Sequence, residues 1–265
     1  MAYFTNKIIW ITGASSGIGE ALAYELAQQQ ATLILSSRTE SSLQKVQQKC
    51  LEWTKNAHIQ TLDLEQYHDL SIVVDKVIQQ FGKIDVLVNN GGISQRSFAL
   101  DTLIAVDERL MKINYLGTVA LTKAVLPNML ARGGGQIVSV TSLTGVFGTP
   151  YRSSYAASKH ALHGFFDSLR AELSDQGITV TLIAPGFVKT NISYNALVGD
   201  GSPQNNMDSR QAAGMSSEVF AKKMATAIQK KKKVAYIGKK EVIMVYIKRF
   251  MPWLYYRMIA KVNVK

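Results

Sequence analysis

The 265-residue chain has a single cysteine, Cys50, so no disulfide can close within it and no thiolate cluster can hold a metal. Its four histidines, His58, His68, His160 and His163, do not fall at the spacings of a zinc site. His160 and His163 are three positions apart, but without a neighbouring thiolate or carboxylate they read as ordinary helix residues, and no metal is expected. No apolar stretch reaches the ~20 residues needed to span a bilayer, and residues 1–6 are too short for a signal peptide ahead of the first strand. The expected location is therefore cytoplasmic, with peripheral contact to the inner face of a membrane left open. Internal repeats and low-complexity linkers are also missing, which implies one globular domain with a large core.

What the chain does contain is alternation. Residues 7–12 form a short, nearly continuous apolar run, as expected of a strand buried on both faces. Further strands are expected at 31–36, 59–62, 84–89, 137–141, 179–183 and 234–237. Helical stretches fall between them, at 43–52, 70–81, 116–130 and 155–176. Strands alternating with helices imply an α/β fold, a parallel sheet covered on both faces with right-handed crossovers.

Two local patterns carry chemistry. The first strand runs into Thr12-Gly13-Ala14-Ser15-Ser16-Gly17-Ile18-Gly19 and then a helix-like segment. Strand, glycine turn and helix form a phosphate cradle: Gly13, Gly17 and Gly19 permit a tight turn and close approach of a pyrophosphate to the helix N-terminus. The spacing is G-x-x-x-G-x-G, not the commoner G-x-G-x-x-G. The second pattern is Tyr155 and Lys159, four residues apart and so on one helix face, with Ser142 thirteen residues upstream. A phenol has a pKa near ~10 in water; a fixed cation favours the phenolate. Ser142 could hold a substrate oxygen while Tyr155 exchanges a proton with it, the apparatus for interconverting an alcohol and a carbonyl. A bland reading stands beside each residue: Ser142 as a helix cap, Asn114 as a surface polar group, Tyr155 and Lys159 as an amphipathic pair.

TGASSGIG at 12–19, NNGG at 89–92, Asn114, Ser142, YAASK at 155–159 and PGFVKT at 185–190 together resemble the short-chain dehydrogenase/reductase family. The family usually has Asn-Asn-Ala-Gly where this chain has Asn89-Asn90-Gly91-Gly92. NNGGISQRS and KINYLGTVALTKAVLP are further similar to the branch around the seventh member of the dehydrogenase/reductase series, which neighbours the membrane-associated hydroxysteroid dehydrogenases. The resemblance implies a single Rossmann-fold domain, doubly wound, with seven parallel strands in the order 3-2-1-4-5-6-7. It implies a catalytic set of Asn114, Ser142, Tyr155 and Lys159, with Lys159 also holding the nicotinamide ribose and Asn114 placing a water that links Lys159 to solvent. It implies cofactor contacts from Gly13, Ser15, Ser16, Gly17, Ile18 and Gly19 in the turn, from Asp63 and Leu64 near the adenine, from Asn90 and Gly91, and from Val188 and Thr190 at the nicotinamide amide. It also implies a homodimer or homotetramer. Some relatives keep the fold and lose the chemistry, so a catalytically silent NADP(H)-binding regulatory protein is the alternative; such proteins typically lack the tyrosine or lysine, and this chain has both.

Cofactor choice is read at the end of the second strand. A carboxylate there would accept from the ribose hydroxyls, but the chain has Ser36-Ser37-Arg38-Thr39 and no acid before Glu40. Arg38 and Ser37 suit a 2′-phosphate, so NADP(H) is expected, with NAD(H) possible and Arg38 as a solvated helix-start residue the bland reading. The segment 191–216, rich in Gly, Asn, Ser and Ala, is expected to be a substrate lid, with Met207 and Met215 as adaptable apolar contacts. Leu143, Phe147 and Phe187 would form an apolar wall, pointing to a lipophilic ketone or aldehyde and its alcohol.

The net charge of +11 is carried by the C-terminus. From Lys222 onward there are thirteen Lys or Arg and one acid, Glu241, whereas the first 221 residues are almost neutral. We divide the chain into a domain at 1–238 and a basic extension at 239–265. A helix at 253–264 would gather Tyr255, Met258, Ile259 and Val262 on one side, an arrangement suited to an anionic membrane, with Pro252 interrupting any continuous helix. Subunit packing and a solvated basic end compete with that reading; nucleic acid is unlikely, because no recognised binding module accompanies the charge.

Overall fold

The computed structural model describes residues 3–262. Seven parallel strands form one sheet in the order β3-β2-β1-β4-β5-β6-β7: β1 Ile8–Thr12, β2 Thr32–Ser36, β3 Ala57–Ile59, β4 Val86–Asn89, β5 Gly135–Val140, β6 Ile178–Pro185 and β7 Val234–Ile237. The helices are α1 Gly17–Gln28, α2 Glu40–Cys50, α3 Leu70–Phe81, α4 Ile104–Met111, α5 Gly117–Ala131, α6 Ser153–Glu172, α7 Ser209–Ala212, α8 Ser217–Gln229, α9 Ile243–Phe250 and α10 Pro252–Ile259.

The apolar run of β1 is buried along its whole length because each face meets a different core. Ile9 and Ile11 pack with Leu22 and Leu26 of α1 and Phe220 and Met224 of α8. Ile8 and Trp10 pack with Val74 of α3, Leu121 and Val125 of α5 and Phe166 of α6. Alternate side chains of a strand point to opposite faces, so one continuous hydrophobic run serves both layers.

Several boundaries differ from the sequence expectation by a few residues, and two of the differences bear on the site. The third strand lies at Ala57–Ile59, not 59–62, because Leu33, Ile34 and Leu35 take Ala57, His58 and Ile59 as partners. The strand ends at Ile59, but the backbone N–H groups of Gln60 and Leu62 still donate to the Leu35 and Ser37 carbonyls, which brings Leu62 and Asp63 to the cleft described below. The tail helix begins at Pro252, where a proline costs nothing in the first turn, and ends at Ile259, not 264; Val264 itself is outside the described residues. Between α4 and α5, residues Lys112–Leu116 form a π-helical turn, a widened form that occurs mostly at functional sites; it carries Asn114.

The strand order reverses between β1 and β4. In an open parallel sheet, ligands bind beyond the carboxyl ends of the strands at such a point. Gly13, Ser37, Asn90, Thr141 and Gly186, the residues that follow β1, β2, β4, β5 and β6, all line one cleft.

Candidate active site

The cleft has a volume of about 690 Å³ and runs from the glycine turn to the start of α6. At the first end, Gly13 adopts φ +63° and Gly17 φ +61°, the left-handed region that favours glycine. A Cβ on Gly13 would lie 2.8 Å from the Gly91 Cα, and one on Gly19 would strike the Gly13 carbonyl oxygen. Asn90 braces this turn: its amide donates to the carbonyls of Thr12 and Gly13 at 3.0 and 3.2 Å, while Thr12 Oγ1 accepts from the backbone N–H of Asn90 and Gly91. No side chain caps α1, so its first N–H groups face the cleft end without a protein side-chain partner there. A backbone pressed this close, with free helix N–H groups, fits a pyrophosphate.

Ser15, Ser16, Ile18, Ser37, Arg38, Asp63, Leu64, Gly91, Val188 and Thr190 also line the cleft. Arg38 is exposed and Ser37 half-buried, with the Ser37 hydroxyl 3.4 Å from the Thr39 carbonyl. Asp63 Oδ1 accepts from the Glu65 N–H at 3.0 Å, which turns the chain toward Leu64. Gly91 holds the position of the family's alanine; a Cβ there would meet the Leu64 Cδ1 at 2.7 Å, so Leu64 occupies the space a methyl would need.

At the second end stand the residues of the tyrosine pattern. Tyr155 and Lys159 are buried on α6, one turn apart. Ser142 follows β5; it accepts from Thr144 N–H at 3.1 Å and from Thr144 Oγ1 at 2.9 Å, and with Tyr155 it lines the cleft. Ser142 thus caps the turn at Leu143–Gly145, as the bland reading has it. Lys159 Nζ donates to the Val140 carbonyl at 3.0 Å and lies 5.9 Å from the centroid of the Tyr155 ring. Burial draws its pKa down from 10.5 to about 8.

Burial raises the Tyr155 phenol, and the groups that oppose the rise are the Ser142 hydroxyl, then Arg152 and Arg96. The cations that favour its phenolate are thus two arginines that the motif does not contain. Asn114 is fully buried, not a surface group. Its amide donates to the Ile93 carbonyl and Ser158 Oγ, both at 3.0 Å, and its Oδ1 accepts from Ile93 N–H at 2.8 Å. Gly92 separates Asn114 Oδ1 from Lys159 Nζ, leaving no room for a side chain between them.

The apolar wall forms as expected, with Leu143, Phe147 and Phe187 all lining the cleft. The lid expectation needs correction in its details. Met215 is buried in the α1–α8 core and Met207 Sδ accepts from Ser193 Oγ, so neither methionine reaches the cleft. Segment 191–216 contributes Asn191, Ile192, Asn195, Arg210 and Gln211 instead. The larger apolar share comes from the tail: Ile243, Met244, Met258, Ile259 and Val262 line the cleft, and Tyr255 is buried against Phe147 and donates to the Gly148 carbonyl at 2.5 Å. The apolar side assigned to a membrane from the sequence faces the protein, because it completes the cleft wall.

Four residues without an expected role organise this end. Gln95, fully buried, accepts at Oε1 from the Ser154 N–H at 3.0 Å and so caps α6 from another segment. Arg96 Nε and Arg152 NH2 both bond Asp208 Oδ2, at 2.8 and 3.1 Å, which ties segment 191–216 to the rest of the domain. The one sequence signal was position: Arg152 stands directly before the Ser-Ser-Tyr run.

A switch-point cleft with a glycine turn at one end and, at the other, half-buried Ser142 beside buried Tyr155 and Lys159 defines a doubly wound α/β protein with its site at the carboxyl ends of the strands. The profile of the short chain dehydrogenase family matches residues 7–197, and the chain belongs to that family of oxidoreductases. It is 45% identical over 236 residues to a dehydrogenase/reductase SDR family protein 7-like of Anopheles gambiae, covering 87% of this chain and 74% of that one. It is 41% identical over 254 residues to the human dehydrogenase/reductase SDR family member 7, covering 94% and 75%. Among solved structures, a short chain dehydrogenase/reductase from Burkholderia phymatum in complex with NAD superposes with a TM-score of 0.82 at 22% identity, over 100% of this chain and 98% of that one. An alcohol dehydrogenase from Thermococcus sibiricus complexed with 5-hydroxy-NADP gives 0.75 at 23% identity, over 88% and 97%.

Proposed function

We propose that this oxidoreductase uses NADP(H) to interconvert a lipophilic ketone or aldehyde and its alcohol. The observation that carries the reading is the continuity of one cleft from the glycine turn to Ser142, Tyr155 and Lys159. Gly13, Gly17, Gly19 and the α1 N-terminus would hold the pyrophosphate, Asp63 and Leu64 the adenine side, Val188, Thr190 and Lys159 the nicotinamide side. When bound, the cofactor supplies or accepts hydride. Ser142 orients the substrate oxygen, and Tyr155, kept protonated near neutral pH by burial, donates the proton in reduction. Lys159 holds a positive charge beneath the ring.

Ser37 and Arg38, with no carboxylate between them and Glu40, support NADP(H). The test is oxidation of NADPH and of NADH against steroid, retinal, aliphatic aldehyde and quinone panels. Preference for NADPH by at least about tenfold is expected, falling to parity or below in Arg38→Asp. Equal use of NADH by the unmodified protein would refute the cofactor assignment.

The pH dependence follows from Lys159. Its pKa is near 8 when folded, so the ammonium is lost above that value, and kcat/KM for reduction is expected to be level below about pH 8 and to decline above it. Stability moves the other way: between about 8 and 10.5 the unfolded chain binds the extra proton, so this residue's contribution grows with pH across that window. A rate profile still level at pH 10 would show that the charge of Lys159 is not needed.

The outward side of the tail supports peripheral contact with an anionic membrane. Phe250 is 74% exposed and Trp253 63%, next to exposed Ile243, Tyr246 and Tyr256 and to Arg249, Arg257 and Lys261. No helix among the described residues is long and apolar enough to cross a membrane. Flotation with phosphatidylserine vesicles is expected, weakening with salt and lost in Phe250→Glu/Trp253→Glu with activity retained. Flotation unchanged in that variant would remove the proposal.

A further inference from the structure

Arg96 and Arg152 pose a charge problem. Their side chains are only 5% and 8% exposed, and both lean on one oxygen of one carboxylate, Asp208, itself 9% exposed. Two buried cations on a single anion leave one positive charge uncompensated, and buried charge is retained only when something answers it. The other groups around the pair do not. Arg96 NH1 donates to Ser94 Oγ and the Gln95 carbonyl, the Phe187 ring centroid stands 5.6 Å from the Arg152 Cζ, and Tyr155 is a neutral phenol. Among the described residues no second carboxylate bonds either guanidinium.

The Nε of Arg152 is buried without a hydrogen-bond partner. The chain also accepts strain to put the residue there: Tyr151, immediately before it, has φ +66°, a conformation that is costly for a bulky side chain. A latch between lid and body needs one arginine for one aspartate. The second arginine, held in a strained segment against the wall of the substrate cleft and one helical turn from Tyr155, is aimed at something the protein does not contain.

We propose that the substrate carries an oxyanion, a carboxylate or a phosphate monoester, which the Arg96–Arg152 pair holds beside the reacting carbonyl, with the apolar remainder against Phe147 and the tail residues. The inference rests on the reductase reading and narrows its substrate from any lipophilic carbonyl to an anionic, amphipathic one. Arg152 is here a specificity residue. A role limited to tuning the Tyr155 phenol would affect charged and neutral substrates alike, which separates the two.

The experiment compares 4-oxodecanoate with its methyl ester in the unmodified protein, Arg152→Gln and Arg152→Lys. It measures in parallel the binding of decanoate, decyl phosphate and decanol by calorimetry. The oxo acid is expected to exceed its ester in kcat/KM by at least about tenfold, through KM, as a charge-assisted fork would give. Arg152→Gln should bring the ratio to about one, and Arg152→Lys should restore part of it. Decanoate or decyl phosphate should bind and decanol should not, the tighter of the two anions identifying the headgroup. Equal use of acid and ester, or a ratio unchanged in Arg152→Gln, overturns the proposal, as does failure of both anions to bind. If nothing is reduced while an anion binds in an Arg152-dependent manner, the anion site stands and the reductase reading falls. Should Arg152→Gln not fold, the acid-to-ester ratio in the unmodified protein and Arg152→Lys decides.

Discussion

Tyr155→Phe is expected to lower carbonyl reduction by about three orders of magnitude while leaving cofactor affinity and thermal midpoint nearly unchanged. The substitution removes one oxygen from a fully buried ring. What is lost is the hydroxyl proposed to give its proton to a carbonyl oxygen, on a ring that lines the cleft with Ser142. The Arg96–Arg152 pair stays in place, because its own anchor is Asp208 and not the phenol. Steady-state kinetics should show the loss in kcat with little change in KM, the mark of a group acting in the transition state. Turnover within about threefold of the unmodified protein would mean that another acid, or a water, protonates the product.

Asp208→Asn is expected to open the lid. Removing one partner of a buried ion pair costs roughly 3–5 kcal/mol, because the charge left behind is unanswered, and here two arginines are left. The segment can relieve that cost by moving outward, since residues 199–206 are largely exposed and held mainly by local turns such as Ser202 N–H to Asp200 Oδ1 at 2.8 Å. Proteolysis within 199–206 should accelerate at least about tenfold, and the thermal midpoint should fall by several degrees. Added phosphate or decanoate should recover part of the midpoint. Unaltered cleavage and midpoint would show that Asp208 is not the latch.

Much of this architecture could be read from residue pattern alone, for identifiable reasons. A parallel sheet buries both faces of each strand, so β1, β4, β5 and β6 stand out as apolar runs, and the glycine turn announces itself because no other residue fits beside Gly91. β3 was misplaced because a three-residue edge strand has too few positions to show a period. The arginine pair is not legible in the sequence because its members lie at 96 and 152 and their aspartate at 208, and only the folded chain brings both to one carboxylate oxygen. The tail is ambiguous in the sequence for a different reason. An apolar helix face looks the same in sequence whether it meets lipid or the wall of a cleft, and this one meets Phe147.

Glu241, the lone acid in the cationic C-terminus, accepts at Oε1 from the backbone N–H of both Phe187 and Lys239, and Gly186 is small enough to let it approach. One oxygen thus staples the C-terminal extension that begins at Lys239 to the loop that follows Pro185. Shortening the protein at Gly238 would remove that staple and five apolar residues of the cleft wall together. A shortened form would be crippled as an enzyme before its whereabouts in the cell could be asked about, so address and activity in this molecule are separable only by point changes on the outward surface.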